Sequence, residues 1–126
     1  MHIQCDPLLA MRRPISIMRT DRSKGWIDIL CKAVGQGTKL LGNRKIGDTI
    51  SLLGPIGTPF SPSTLRPRTL LLGGGVGMPP MVFLAEELAR RDSFSPLVFL
   101  GSEVPFPFPL VQSKITPPGI PHDVFS

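Results

Sequence analysis

A chain of 126 residues, 41% of them hydrophobic and 18% charged, is long enough for one ordinary domain or two small ones and too apolar to be disordered. The net charge is +5, but the basic residues fall in scattered pairs (Arg12-Arg13, Arg44-Lys45, Arg90-Arg91), and with one Trp and no Tyr few aromatic residues interleave with them, which argues against a nucleic-acid surface. Glycines and prolines break the longest apolar run, and the N-terminal stretch lacks the basic-then-apolar order of a secretory signal, so the sequence reads as a cytoplasmic protein with no membrane partner.

In chain order, "ISIMRT" and "WIDILCKAV" are short runs rich in apolar and β-branched residues, and the polar turn "DRSKG" joins them as two strands. "GTKLLGNRK" predicts one short helical segment, with Thr38 as its N-cap and Gly42-Asn43 as its stop. "GDTISLLGPIG" is a third strand-like run, closed by Gly54-Pro55. Short strands at this spacing suggest a small barrel or sandwich over residues 1–62. "SPSTLRPR" (61–68) reads as a linker, and the pattern then changes. "TLLL" and "PLVFLG" are continuous apolar runs, as expected of strands buried on both faces. Between them "PPMVFLAEELARRD" places Met81, Leu84, Ala85 and Leu88 on one helical face, with Glu86, Glu87, Arg90 and Arg91 largely off it. Strand, glycine loop, helix, strand predicts an α/β unit with a parallel sheet over 67–126. The tail from Glu103 is proline-rich and reads as loop, with Phe106 and Phe108 packing back. Cys5 and Cys31 fit no metal spacing and read as buried or free thiols, and neither His2 nor His122 sits in a motif.

The segment between the first parallel strand and its helix carries the chemistry. Gly73, Gly74, Gly75 and Gly77 place four glycines in five positions, followed by Met78 and Pro79. At that place in an α/β unit, backbone N–H groups and the helix dipole point at whatever lies beyond the strand, and glycines let a phosphate approach with no Cβ in the way. A ligand-free turn needs only one or two glycines. The loop lacks the Gly-Lys-Ser/Thr ending of a P-loop, and Met78 stands where the third glycine of a G-x-G-x-x-G fingerprint would be.

Gly73-Gly74-Gly75-Val76-Gly77-Met78-Pro79 instead resembles the GGGxGxxP loop of the ferredoxin reductase-like flavoproteins, which implies a seat for the pyrophosphate of a nicotinamide dinucleotide. Arg13-Pro14-Ile15-Ser16 matches the family's Arg-x-x-Ser flavin motif, Gly35-Gln36-Gly37-Thr38 matches its second flavin turn, and "LGPIGTPF" (53–60) matches its barrel-closing segment. Together the motifs are most similar to the electron-transfer subunits of bacterial dihydroorotate dehydrogenases, over about Pro7 to Glu103. The resemblance implies an incomplete flavin-binding β-barrel followed by a partial NAD-binding α/β domain. It implies FAD on Arg13, Pro14, Ile15, Ser16, Gly35, Gly37 and Thr38, and NAD on Gly73, Gly74, Gly75, Val76, Gly77, Met78 and Pro79. Glu103, just past the second parallel strand, would favour NAD over NADP by repelling a 2′-phosphate, or is simply an exposed loop residue. The family also carries a 2Fe-2S cluster and serves an FMN-containing catalytic subunit in pyrimidine biosynthesis. The family's barrel begins with strands that precede the Arg-x-x-Ser motif, whereas Met1 stands only a dozen residues before Arg13, and its cluster needs four thiolates where this chain has two cysteines, so the resemblance implies a member truncated at both ends. The alternative is a non-catalytic fragment that binds a nucleotide weakly. Hydride transfer is the cofactors' own chemistry, so no acid–base catalyst is expected.

Overall fold

The computed structural model describes residues 1–106, 108, 109 and 111. The proline-rich reading of the tail therefore lies largely outside the described residues; inside them, Phe106 and Phe108 pack against each other with ring centroids 5.5 Å apart. The elements, in order, are β1 (His2–Gln4), β2 (Arg13–Pro14), β3 (Ile17–Asp21), β4 (Trp26–Ile29), helix α1 (Gln36–Gly42), β5 (Ser51–Leu53), β6 (Leu70–Gly74), helix α2 (Met78–Ala89) and β7 (Leu97–Gly101). Single 3-10 turns precede β6 and α2, at Pro62–Thr64 and Gly75–Gly77.

The antiparallel half contains a strand that the sequence pattern does not announce. β1 is only three residues long, yet it lies between β2 and β5 and pairs antiparallel with both. Ile3 is 2% exposed and Cys5 fully buried, so this short strand supplies the core of its sheet. Met1 extends the pairing: its amino group donates to the Ile15 carbonyl, and the Ile15 N–H donates back to Met1. β5 is shorter than the "GDTISLLGPIG" run, and Leu52 and Leu53, which face opposite ways along a strand, are both about half exposed.

β3 and β4 form the expected hairpin. Its turn is built by Asp21, whose carboxylate accepts from the Ser23 hydroxyl at 2.6 Å, the Ser23 N–H at 2.9 Å and the Lys24 N–H at 3.0 Å. This is the local side-chain-to-backbone bonding that makes Asp a turn former.

β6 and β7 pair in parallel register from Leu70↔Leu97 to Gly74↔Gly101, joined through α2. The expectation that these strands are buried on both faces is corrected. Leu71 is 5% exposed under α2, while Leu70 and Leu72, on the opposite face, are 55% and 65% exposed. One connecting helix covers one face of a two-stranded sheet, and no other described element packs on the second. Leu71, Leu84 and Leu88 form the core here, with Met81, Ala85, Phe94 and Val98 packed around them, as the helical periodicity predicts. Val82 is also buried, because α2 carries a second contact stripe against β3.

The fold is thus a small, sheet-rich one with short helices and a parallel strand pair. Among the described residues the strands form a three-stranded sheet and two two-stranded sheets, and none closes on itself.

The Asp21 turn yields a pH prediction. Its bonds to Ser23 and Lys24 hold the carboxyl below its ordinary value of 3.8. A depressed folded-state pKa contributes stability above the unfolded value, and that contribution is lost as pH falls through the folded one. Trp26, the only tryptophan, is the register partner of Asp21 and reports on the hairpin by fluorescence. Acid titration of the wild-type chain should show a loss of hairpin signal below the usual carboxylate range. Asp21→Asn should lack that step; an identical acid titration in the variant contradicts the assignment.

Candidate functional site

The two motifs expected to hold flavin are separated by some twenty residues of hairpin, and the fold brings them together. A Cβ placed on Gly37 would lie 3.0 Å from Nε and 3.4 Å from Cγ of Arg13, so the arginine side chain lies directly across the N-terminal turn of α1. Gly37 is buried by that contact. The guanidinium makes one long hydrogen bond of its own, to the Met11 carbonyl at 3.3 Å. Among the described residues no carboxylate lies within ion-pair distance of it.

Its neighbour differs. Arg12 donates to the Ser51 carbonyl at 3.0 Å and to the Ser51 hydroxyl at 2.8 Å, clipping the approach to β2 onto β5. Arg44, just after α1, donates through Nε and Nη2 to the Cys5 carbonyl and pairs with Asp6 at 3.0 Å. These two arginines hold α1 and the β2 segment in place. Neither carries a sequence signal that separates it from a solvated arginine.

Thr38 is not the N-cap that the pattern predicts. Gly35 occupies the cap, and Thr38 stands three residues into the turn, where its hydroxyl accepts from the Gly35 N–H and donates to the Gly35 carbonyl, both at 3.2 Å. A threonine one turn inside can satisfy the cap backbone as well as a threonine on the cap. The hydroxyl is thereby engaged, and the unpaired donors at this end of α1 are main-chain N–H groups. Of the remaining motif residues, Pro14 and Ser16 are exposed and Ile15 is partly buried.

The glycine loop sits as expected, at the carboxyl end of β6 where α2 begins. Its glycines do different jobs. A Cβ on Gly73 would stand 3.1 Å from side-chain atoms of Leu100 and Met81 and 3.2 Å from the Met78 Cα, so this position is closed by the strand–helix contact. Gly74, Gly75 and Gly77 face open space within 4 Å, and Gly75 has φ +51°, the left-handed region where a side chain is disfavoured. Val76 is 58% exposed beside them. Met78 and Pro79 turn inward and are buried, and the Met78 N–H is taken by the Gly75 carbonyl. No acidic residue lies in the first turn of α2. The open part of the cradle is Gly74 to Gly77, bounded by main chain and free of competing negative charge.

Because β6 and β7 are parallel, their carboxyl ends share one edge, and Glu103 follows β7 there. Its carboxylate reaches Lys32 Nζ at 3.7 Å across two largely exposed side chains, a contact of little energetic weight. Cys5 is buried and Cys31 partly so, both as free thiols. Among the described residues no group of three or more His, Cys, Asp or Glu could hold a metal ion. No described helix is long and apolar enough to cross a membrane.

Comparison with known proteins finds relatives at about 40% identity. The chain is 41% identical over 93 residues to the dihydroorotate dehydrogenase B (NAD(+)), electron transfer subunit of Desulforamulus reducens, a match covering 71% of this chain and 35% of that protein. The subunit of the same name from Bacillus caldolyticus is 42% identical over 88 residues, 68% of this chain and 34% of its own length. That from Geobacillus sp. (strain WCH70) is 39% identical over 107 residues, 82% and 41% of the two chains. The chain thus spans about a third to two fifths of the length of the curated relatives it matches. No protein-family model matches it, and no solved structure does.

The split within the glycine loop is testable by stability alone. Gly73→Ala forces a methyl group against Leu100, Met81 and the Met78 backbone and should cost about 1–3 kcal/mol, as overpacking does. Gly74→Ala meets nothing and has an ordinary extended backbone, so its unfolding midpoint in urea should stay within about 0.5 kcal/mol of wild type. Equal midpoints for the two variants contradict the assignment of Gly73 to packing.

Proposed function

Related in sequence as it is to the electron transfer subunits of dihydroorotate dehydrogenase B, the chain is one that we propose binds FAD and a nicotinamide dinucleotide and passes electrons between them. The observation that carries this reading is Arg13 lying across Gly37, which joins the two flavin motifs into one anion-binding corner. A diphosphate suits it: a guanidinium with no carboxylate partner among the described residues, beside main-chain N–H donors at the start of α1. Gly74, Gly75 and Gly77 form a second seat, open to within van der Waals distance of the backbone, for the dinucleotide's pyrophosphate. In this reading residues 1–62 belong to a flavin-binding barrel and residues 67–126 to a nicotinamide-binding α/β domain.

When bound, the cofactors supply the chemistry: a hydride, two electrons and one proton, passes between nicotinamide and flavin, and the flavin's second proton exchanges with solvent. The chain's residues hold and orient. Arg13 neutralises the flavin diphosphate, Ile15 offers an aliphatic surface to its ring, and Ser16 supplies an exposed hydroxyl at the head of β3. Gly74 to Gly77 let the second dinucleotide reach the backbone, while Gly73, Met78 and Pro79 act from below by fixing the loop on the core. Glu103, at the shared edge, disfavours a 2′-phosphate. The partner proposed is an FMN-containing catalytic dihydroorotate dehydrogenase subunit in the cytoplasm. A 2Fe-2S cluster does not fit this chain's own residues. Two cysteines supply half of the thiolates it takes, and Cys5 is buried beside the Ile3 carbonyl.

Two titrations test this. Purified chain should take up FAD with the absorbance of a bound flavin, and Arg13→Ala should weaken binding by about 10- to 100-fold, corresponding to the loss of a charge-assisted contact of about 1.5–3 kcal/mol. Unchanged affinity in the variant contradicts the flavin corner. NAD should bind more tightly than NADP, and Glu103→Gln should narrow the difference; tighter NADP binding by the wild-type chain refutes the role given to Glu103.

A further inference from the structure

Outside the two nucleotide seats, one side chain joins more separate segments than its neighbours do. Arg19 on β3 donates through Nε to Glu86 Oε1 on α2 at 2.6 Å. Its Nη1 lies 3.8 Å from Asp28 Oδ2 on β4. Its guanidinium carbon stands 5.5 Å from the centroid of the Phe108 ring, beyond the end of β7. The β3–β4 register shifts between Ile17 and Arg19. Such an irregularity re-aims a side chain and is a recurrent feature beside functional sites. Here the re-aimed residue reaches the helix. Arg19 is the third residue after Ser16 of the flavin motif, and Glu86 is eight residues after Met78 at the end of the glycine loop, about 12 Å down the axis of α2.

We infer that Arg19 is a positioning residue: through Glu86 it fixes the angle at which α2, and with it the glycine loop, stands against the β3–β4 hairpin, whose first residue follows Ser16 of the flavin motif. The inference rests on the reading of the preceding subsection and adds to it the element that sets one nucleotide against the other. Burial of Met78, Val82, Leu84 and Leu88 attaches α2 to the fold, but aliphatic contacts are non-directional and leave the helix free to slide or roll by a fraction of its width. A charge-assisted bond to a planar guanidinium, held from a second side by Asp28 and covered by an aromatic ring, removes that freedom. Geometry of this kind governs transfer between two bound rings far more than the affinity of either, since a misplacement of about 1 Å can cost on the order of 100-fold in rate.

The test compares the full chain, loaded with FAD, with Arg19→Gln, Arg19→Lys and the exchanged pair Arg19→Glu with Glu86→Arg. Dissociation constants for FAD and NADH should stay within about twofold of wild type in all three. The rate of flavin bleaching at saturating NADH should fall about tenfold or more in Arg19→Gln and recover in part with Arg19→Lys and with the exchange. A readout that needs no turnover accompanies it: in the ligand-free chain, the melting temperatures of Arg19→Gln, Glu86→Gln and the double variant should be non-additive. Additive melting shifts overturn the inference, as does an unchanged bleaching rate in a chain that binds both nucleotides. A parallel loss of affinity and rate in Arg19→Gln also overturns it, because a purely structural role predicts that result. A wild-type chain that binds no FAD overturns the functional reading itself, and this inference with it.

Discussion

Helix α2 is packed from two sides, and the parallel strands and the β3–β4 hairpin are arranged around that burial. One stripe, with Leu84 and Leu88, closes on Leu71 of the parallel strands; another, one turn apart at Val82 and Glu86, meets β3 of the antiparallel half. Four aliphatic side chains of α2 are nearly inaccessible, each contributing about 1.5–3 kcal/mol by its removal from water. The Arg19–Glu86 pair is about a third exposed and, by comparison with other such pairs, contributes about 0.2–1 kcal/mol. Attachment therefore comes from the apolar stripes and direction from the ion pair. A helix held on one side only would leave the β3–β4 hairpin without its packing against the helix of the parallel unit.

That packing also explains why the glycine loop reads as it does. The first of its four glycines suits the place where the helix starts immediately after the strand, because Met81 and Met78 come back over Gly73 and would stand 3.1 and 3.2 Å from a Cβ there, a contact that forces neighbours to shift. The remaining three are not required by packing. Gly74 and Gly77 have ordinary backbone angles and empty surroundings, so nothing inside the fold accounts for the missing side chains. The same segment thus serves the core at one end and stands open at the other. The buried Met78 and Pro79 tie the two roles together, since they anchor the helix start that carries the open glycines.

The elements that were legible in the sequence were those whose signal is local. The hairpin of β3 and β4 follows from two apolar runs and an Asp-Ser turn, and the strand–loop–helix–strand unit follows from a change in hydrophobic period. What depended on remote partners was not legible. β1 has three residues, too few to show a period, and exists because β2 and β5 flank it. The burial of β6 was misjudged because a run of leucines does not say how many helices will cover it; α2 covers Leu71 and leaves Leu70 and Leu72 open. Thr38 was placed one turn early because the pattern of a capping residue does not distinguish a side chain on the cap from one reaching back to it. Arg19 meets Glu86 across 67 residues of chain, and neither residue stands in a motif.

The basic residues show the same division inside a single dipeptide. Arg12 and Arg13 are chemically identical and adjacent, and the net charge does not tell them apart. Successive side chains of an extended segment leave it on opposite sides, so the pair cannot share an environment. Arg12 reaches Ser51 on β5, where a backbone carbonyl and a hydroxyl occupy its donors. Arg13 leaves toward α1, crosses Gly37, and meets no carboxylate there among the described residues. The glycine gives the crossing room: a Cβ at that position would stand 3.0 Å from the arginine's Nε and press the side chain outward. The Met11 carbonyl takes one long hydrogen bond from the guanidinium, at 3.3 Å, but the N–H groups at the start of α1 offer it no attraction, since both carry positive partial charge. On the proposed reading an anion lying between them supplies the favourable term, so that reading is carried by the Arg13–Gly37 contact rather than by the net charge of the chain.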